Sequence, residues 1–191
     1  MNKFLEFKSA KSPNGHDWFY VKRTNDTPIH DSAVVITTIV KRNNDFEYLF
    51  LYTKRPPILA ENKAQLCLES PAGLIGDIDK NESLKECINK ELLEETGYKA
   101  DKIFIELENS STSAGLSSET ITYATAIILN DKTEQKPISD GGIIVKREFV
   151  PCLKIYDFIQ NINKTNSAHI SVASATVCGL FFANLRLKNL T

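Results

Sequence analysis

The chain has 191 residues, of which 42% are hydrophobic and 25% charged, and its formal net charge is -1. This length is enough for one domain with a sizeable core, and the near-neutral charge argues against a general nucleic-acid-binding protein, which would carry a basic excess. No stretch reaches the roughly 18 apolar residues of a membrane span and no apolar run indicates a signal peptide, so we expect a cytoplasmic protein without nucleic-acid or membrane partners.

Strand signals dominate the first third of the chain. A turn signal at Ser12-Pro13-Asn14-Gly15 separates two short strand-like runs, so residues 1–31 are predicted to form an N-terminal β extension. Residues 32–40, SAVVITTIV, have the β-branched composition of a buried strand, and aromatic residues alternate along 46–53. Further strands are predicted at 66–69, 102–107, 120–129 and 143–150, with polar loops at 109–119 and 130–142.

Helical signals occupy three segments, predicted at 83–96, 151–162 and 169–187. The last helix is expected to pack through an apolar face made of Ile170, Ala173, Val177, Leu180, Phe181 and Leu185. Because strands and helices are mixed without strict βαβ alternation, we predict an α/β fold in which a mixed sheet is packed between helices. Residues 32–191 are predicted to form this domain.

The helix at 83–96 carries an unusual set of acids. Ser83 and Glu86 fit a capping box, with Asn81 as a rival cap, and Gly97 is well suited to end the helix. At about 100° per residue, Glu91, Glu94 and Glu95 point broadly the same way. Glu91 and Glu95 continue the apolar line that should meet the core, where like charges are costly unless cations neutralise them. Clustered carboxylate oxygens suit Mg²⁺ or Mn²⁺, which in turn suit phosphate.

The acids belong to a longer pattern that has many fixed positions. From Gly76 to Tyr98 the chain reads Gly-x5-Glu-x7-Lys-Glu-Leu-x-Glu-Glu-x-Gly-Tyr. This resembles the Nudix box, with Lys90 where the family has Arg and Tyr98 as a loose match for its last apolar position. The resemblance implies the Nudix fold and a loop-helix-loop that holds divalent ions against a diphosphate. A surface helix rich in Glu would explain an isolated ELLEE, but not the two glycines or Glu82.

The same resemblance implies roles for the acids. Glu91 and Glu95 would be the chief metal ligands, Glu94 the next, and the backbone carbonyl of Ala72 a further ligand. Glu82 would be a supporting acid near the start of the helix. The family's Arg makes a salt bridge that orients a ligand glutamate; Lys90 keeps the charge but loses the bidentate fork, which predicts weaker positioning.

Shorter motifs resemble the ADP-ribose and ADP-sugar pyrophosphatase branch. They are Trp18-Phe19-Tyr20-Val21-Lys22-Arg23, Arg55-Pro56-Pro57, the Glu69-Ser70-Pro71-Ala72-Gly73-Leu74-Ile75 run, and Ser113-Ala114-Gly115-Leu116-Ser117. In that branch the Trp stacks on adenine and the two Arg residues contact the ligand. The resemblance therefore implies a substrate site made of Trp18, Arg23, Arg55, Gly73 and Leu116. The expected reaction is Mg²⁺- or Mn²⁺-dependent hydrolysis of a nucleotide-sugar, ADP-ribose first and a UDP-sugar such as UDP-glucose second.

One expected residue is missing. Enzymes of this branch carry a Glu in a mobile loop near the last strand as general base, but glycine occupies the corresponding place near Asp140. Glu134 in the same loop, Asp140, and Glu119 in the other loop are the three candidates, and Glu134 is placed with the catalytic residues. The gap keeps open a Nudix module that binds a nucleotide-sugar without hydrolysing it. The resemblance also implies a homodimer whose N-terminal strands exchange between subunits.

Overall fold

The structure is a computed structural model that describes residues 5–24, 32–61, 64–76, 79, 81–137, 143–165 and 169–189. The strands are β1 (Leu5–Lys11), β2 (Asp17–Arg23), β3 (Ser32–Arg42), β4 (Asp45–Thr53), β5 (Leu66–Glu69), β6 (Ala72–Leu74), β7 (Lys102–Ser111), β8 (Thr120–Ile128), β9 (Ile144–Pro151) and β10 (Ile170–Val172). The helices are α1 (Pro56–Glu61), α2 (Leu84–Thr96), α3 (Ile155–Thr165) and α4 (Ser174–Leu187).

Eight strands form one mixed sheet. Its neighbours run in the order β10-β5-β4-β3-β8-β7, while β6 also pairs with β3 and β9 with β4. The β3–β8 and β5–β10 pairs are parallel and the other pairs are antiparallel. Alternate residues of β4 face opposite sides of this sheet, because side chains along a strand alternate in direction. The long central strand β3 pairs with β4, β8 and β6, and it thereby connects β6, which lies beside the acidic helix, to the rest of the sheet.

Helices cover both faces of this sheet. On one face α2 buries Cys87, Ile88 and Leu92 against residues of β3, β4 and β8. On the other face Leu180 and Ala183 of α4 pack with aromatic side chains of β4 and with α3. The predicted fold class, a mixed sheet between helices, is confirmed. None of the helices in the described residues is long and apolar enough to cross a membrane.

Local signals set the ends of α2. Ser83 accepts a hydrogen bond from the Glu86 N–H, and the Glu86 side chain accepts one from the Ser83 N–H, which completes the predicted capping box. Gly97 ends the helix with φ 83°, in the left-handed region that favours glycine, and its N–H donates to Leu93 O. Since both ends are fixed, the carboxylates on the last two turns have a defined direction.

The last helix is shorter than predicted. Residues Ile170–Val172 form a strand because they pair with β5, and Asn163 bonds both the N–H and the C=O of Ile170 at 2.7 and 2.9 Å. The face of α4 was also predicted wrongly. A Cβ on Gly179 would lie 2.2 Å from Thr37 Oγ1, so the helix approaches β3 at this glycine. That close approach leaves three residues of the predicted face exposed, namely Val177, Phe181 and Leu185.

Prolines mark three further differences. Pro56 and Pro57 open α1, a short helix that the sequence analysis did not predict, in keeping with the tolerance of the first helical turn for proline. The chain passes Pro71 and pairs again as β6, which was also not predicted. Pro151 ends β9 instead of opening a helix, and a single 3-10 turn at Cys152–Lys154 precedes α3.

The N-terminal strands form a sheet of their own. β1 and β2 pair antiparallel from Leu5↔Arg23 to Lys11↔Asp17. Val21 N–H donates to Leu116 O at 2.8 Å and Ser118 N–H donates to Val21 O at 3.2 Å. The hairpin is thereby attached to the loop that follows β7. The division into an extension at 1–31 and a domain at 32–191 stays a prediction.

Candidate active site

Two carboxylates of α2 meet the backbone of β6. Glu95 Oε2 accepts a hydrogen bond from the Ala72 N–H at 3.0 Å. Glu91 lies directly over Gly73, where an added Cβ would come within 2.1 Å of the Glu91 Cδ. The structure therefore brings together Glu91, Glu95, Ala72 and Gly73, four of the residues that the sequence analysis selected. It also explains the glycine, because any side chain at position 73 would displace the Glu91 carboxylate.

The environment of Glu95 opposes its ionisation. Burial raises the pKa of Glu95 to about 8, the Ala72 N–H acts in the opposite direction by stabilising the ionised form, and the neighbouring Glu91 charge raises the pKa further. Among the described residues, burial therefore outweighs the groups that stabilise the ionised form of Glu95. The helix does turn like charges toward the fold, as the helical spacing predicted.

Lys90 connects two other acids of the same helix region. Its Nζ lies 3.2 Å from Glu82 Oε1 and 3.4 Å from Glu91 Oε1. The Glu91 side chain is only 12% exposed, so the ion pair is shielded from water. Glu82 Oε2 also accepts a hydrogen bond from the Gly76 N–H at 3.4 Å. The lysine thus makes the contact with a glutamate that was expected at this position, through a single nitrogen instead of a fork.

The carboxylate pair suits a divalent cation. Two carboxylates share a largely buried position in which burial opposes the charge of Glu95, and hard carboxylate oxygens are the ligands that Mg²⁺ and Mn²⁺ prefer. Among the residues that the structure describes, no three or more His, Cys, Asp or Glu side chains form a group that could hold a metal ion. Glu94 is half-buried on the same turn. The structure thus brings Glu91 and Glu95 together, and the metal roles of Glu91, Glu94 and Glu95 stay predictions.

Arg55 lies next to this pair and is held by a carboxylate. Its Nε donates to Glu69 at 2.9 Å and 3.2 Å, one distance to each oxygen, and Thr53 Oγ1 donates to the same carboxylate at 2.9 Å. The positive charge of Arg55 acts on Glu95 by lowering its pKa. A guanidinium that is hydrogen-bonded through Nε can still donate from its terminal nitrogens to a phosphate.

Trp18 and Leu116 belong to a second cluster, where the hairpin meets the loop after β7. The Trp18 indole N–H donates to Gly115 O at 2.8 Å, and the Trp18 side chain remains 54% exposed. A cleft of about 380 Å³ lies between Trp18 and Tyr20 on one side and Ala114 and Ser117 on the other. An exposed aromatic face beside a cleft is suited to stacking with a flat ring.

Arg23 and Glu119 form an ion pair in this second cluster. Arg23 Nη2 and Nε lie 2.7 and 2.9 Å from the same oxygen of Glu119. A carboxylate that is bound to an arginine through two hydrogen bonds is less accessible to a water molecule that it would have to deprotonate. This arrangement disfavours Glu119 among the three candidate bases, and it gives Arg23 a partner that a ligand would have to share.

Glu134 lies beyond the end of α2. Its backbone N–H donates to Gly97 O at 2.8 Å, and its side chain lines a polar cleft that also contains Lys99 and Lys132. The described contacts thus place Glu134 with two lysines and not with Glu91 and Glu95. Asp140, the remaining candidate base, lies outside the described residues.

Comparison with known proteins agrees with this architecture. No protein-family model matches the chain. "Putative nudix hydrolase 2" of Caenorhabditis elegans is 26% identical over 171 residues, 88% of this chain and 74% of that protein. "ADP-ribose pyrophosphatase" of Saccharomyces cerevisiae is 28% identical over 150 residues, 76% of this chain and 60% of that protein. A crystal structure titled "ADP compounds hydrolase" superposes with a TM-score of 0.67 at 19% identity, covering 97% of this chain and 86% of that one.

The fold is therefore shared, and the sequence likeness extends well beyond the box. The chain resembles Nudix hydrolases in sequence and shares its fold with a structure of an ADP compounds hydrolase. Its Nudix box runs from the loop after β6, through α2, to the residue after the helix. Gly76 and Gly97, its two glycines, both adopt positive φ values, 72° and 83°, which explains why those positions require glycine. Tyr98 is buried, and its hydroxyl bonds to Asp131 on the loop that follows β8.

Two residues beside the Nudix helix were not selected from the sequence. Glu69 opens the Glu-x-Pro-Ala-Gly run, so a signal for it was present, but its contact with Arg55 depends on the pairing of β4 with β5. Arg147 lies on β9, and its Nε donates to the backbone carbonyl of Glu95. No local motif marks Arg147, because a strand more than 50 residues away brings it to the helix end.

Proposed function

We propose that this protein hydrolyses the diphosphate linkage of a nucleotide-sugar, with ADP-ribose as the favoured substrate and AMP and ribose 5-phosphate as products. One observation carries the proposal: Glu91 and Glu95 of the box lie together against Ala72 and Gly73, and burial disfavours the charge of Glu95. The names of the yeast relative and of the superposed hydrolase support a diphosphate substrate that contains ADP.

Mg²⁺ or Mn²⁺ is the proposed cofactor, held by Glu91, Glu95 and the carbonyl of Ala72, with Glu94 as a further ligand. Such an ion, when bound, neutralises phosphate oxygens and lowers the pKa of a water molecule. The protein's own residues then do the positioning. Lys90 fixes the direction of Glu91, and Arg55, oriented by Glu69, faces the developing negative charge of the phosphates. Water adds to one phosphorus, and the other phosphate leaves with its sugar or nucleoside.

The cleft beside Trp18 is the proposed binding site for the adenine ring of the substrate. Trp18 is half-exposed there and would stack on adenine, while Leu116 supports the loop that carries the cleft. Arg23, which pairs with Leu5 and faces the other side of the same strand, is proposed to contact the ligand as well. A uracil ring would stack less extensively on Trp18, so UDP-glucose is the second candidate substrate.

A homodimer is proposed as the working state. Leu5, Phe7 and Phe19 lie on one face of the N-terminal hairpin and are 43, 82 and 66% exposed. A patch of this kind on a two-stranded sheet is unstable in water unless another surface covers it. A second copy of the chain is the proposed cover. Light scattering after gel filtration would test this; a monomeric protein at micromolar concentration would contradict it.

The cytoplasmic location stays a prediction.

The decisive experiment is a hydrolysis screen of ADP-ribose, ADP-glucose and UDP-glucose with Mg²⁺, followed by AMP or UMP release. ADP-ribose should be hydrolysed fastest, and Glu95→Gln should lower kcat by orders of magnitude while the circular dichroism spectrum is unchanged. Glu108→Gln, at an exposed position on β7, serves as a matched control for the loss of one carboxylate. A non-catalytic module would instead bind ADP-ribose tightly with no turnover, and a Glu95→Gln protein with normal turnover would remove Glu95 from the site.

A further inference from the structure

Arg147 occupies a position that the proposed reaction has not yet used. It pairs with Leu51 across the β4–β9 ladder, and Phe149, two residues further on, packs with the core cluster under α2. Because side chains alternate along a strand, Arg147 faces the same side of the sheet as Phe149, toward the acidic helix. Its guanidinium therefore reaches the C-terminal turn of α2, where its Nε donates to Glu95 O.

A helix-capping role accounts for only part of this arginine. The last carbonyls of a helix lack partners within the helix, and a cation there is favourable. That contact uses Nε alone. In the described part of the chain, the terminal nitrogens of Arg147 have no hydrogen-bond or ion-pair partner, although the side chain is half-buried. Burial lowers the pKa of Arg147 and the Glu95 carboxylate raises it, so the charge of Arg147 lies within electrostatic reach of the carboxylate pair.

Arg55 is held in the same manner on another strand. The Arg55 Nε donates to Glu69. The terminal nitrogens of Arg55 likewise have no hydrogen-bond or ion-pair partner among the described residues. Both arginines act electrostatically on Glu95. Two guanidinium groups, each fixed at Nε and each presenting unused N–H donors beside one carboxylate pair, form an arrangement that suits an anion with several oxygens.

We infer that Arg147 is a second diphosphate-binding residue, which contacts the phosphates of the substrate together with Arg55 while its Nε holds the end of α2. The inference rests on the proposed function, since it names a residue of that same site. It predicts a preference for diphosphates over monophosphates, because a single phosphate cannot engage both guanidinium groups equally well.

The test compares Arg147→Met, Arg147→Lys and a matched control, Lys146→Met. Lys146 is the neighbouring residue on β9, but it faces the opposite side of the sheet, where it lies 5.0 Å from the centroid of the Tyr52 ring and 2.8 Å from Glu148. Calorimetry would measure binding of the non-hydrolysable α,β-methylene analogue of ADP-ribose, of inorganic diphosphate and of AMP with Mg²⁺. Mn²⁺ affinity and the melting temperature would be measured on the same variants.

Loss of a charge-assisted hydrogen bond should weaken binding of the analogue and of diphosphate about 10- to 100-fold in Arg147→Met. AMP binding should fall much less, Mn²⁺ affinity should be unchanged, and Arg147→Lys should recover part of the loss. Analogue affinity equal to that of Lys146→Met would overturn the inference alone. If Arg147→Met lost Mn²⁺ affinity and analogue affinity to the same extent, the inference would also be overturned, because Arg147 would then act only by holding the end of α2. A wild-type protein that binds no diphosphate would overturn the proposed function and this inference together.

Discussion

Replacing Glu95 with Gln should change how the stability of the metal-free protein depends on pH. The pKa of Glu95 rises from 4.5 to about 8 in the folded protein, chiefly through burial. The folded state therefore keeps a proton that the unfolded state has released, and ionisation opposes folding. Stability should fall as pH increases from about 4.5 to about 8 and then level off, at no more than about 1.4 kcal/mol per pH unit. Between about pH 6 and pH 8 this amounts to about 2 kcal/mol.

Thermal unfolding in EDTA at those two pH values would measure the effect. For a chain of this size, about 2 kcal/mol corresponds to a decrease in melting temperature of roughly 4–8 °C. Glu95→Gln should lose this part of the decrease, because its amide oxygen still accepts from the Ala72 N–H and carries no charge at either pH. Glu134→Gln, at an exposed position, should retain it. Saturating Mn²⁺ should restore wild-type stability near pH 8. Equal pH dependence in wild type and Glu95→Gln would refute the reasoning.

The remaining predictions concern the support of the carboxylate pair. Gly73→Ala should abolish Mn²⁺ binding with only a small change in melting temperature, since the new Cβ would displace Glu91; calorimetry with Mn²⁺ checks this, and unchanged affinity would contradict it. Lys90→Met should weaken Mn²⁺ binding, whereas Lys90→Arg should match or exceed wild type, because the fork can hold Glu91 more firmly; kcat with saturating Mg²⁺ should follow the same order. Gly97→Ala should destabilise the protein by more than about 1 kcal/mol in urea unfolding, since its φ is positive and its Cβ would meet Gln135 O.

The acidic helix could be predicted because its signals are local. The Ser83 cap, the Gly97 terminus and the carboxylate spacing all lie within about four turns of chain, and the structure reproduces each of them. The inward direction of Glu91 and Glu95 followed from the same periodicity. What the sequence could not supply was the surface that receives them, since β6 forms only by pairing with β3 about 40 residues earlier.

Long-range pairing explains the errors. Ile170–Val172 continues the apolar pattern of α4, yet a parallel ladder with β5 makes it a strand. The exposed positions of Val177 and Phe181 result from Gly179, whose close approach to Thr37 sets the rotation of the helix on the sheet. Helical periodicity identifies an apolar stripe, but only the packing partner decides which edge of that stripe is buried. The contact of Arg147 with the end of α2 could not be predicted for the same reason, because it depends on the register of the β4–β9 pair.

The charge pattern around α2 explains why a metal and a diphosphate would be needed together. Lys90 is already shared between Glu82 and Glu91, and Arg55 is committed at Nε to Glu69. Among the described residues, the Glu95 carboxylate accepts one hydrogen bond, from a backbone N–H, and Arg147 donates to the Glu95 carbonyl instead of its carboxylate. A cation alone would relieve the acids but leave two guanidinium groups with unused donors, and an anion alone would meet the Glu95 charge. A metal–diphosphate complex would supply both complements at once, and we therefore expect such a complex to bind this site more tightly than either ion alone.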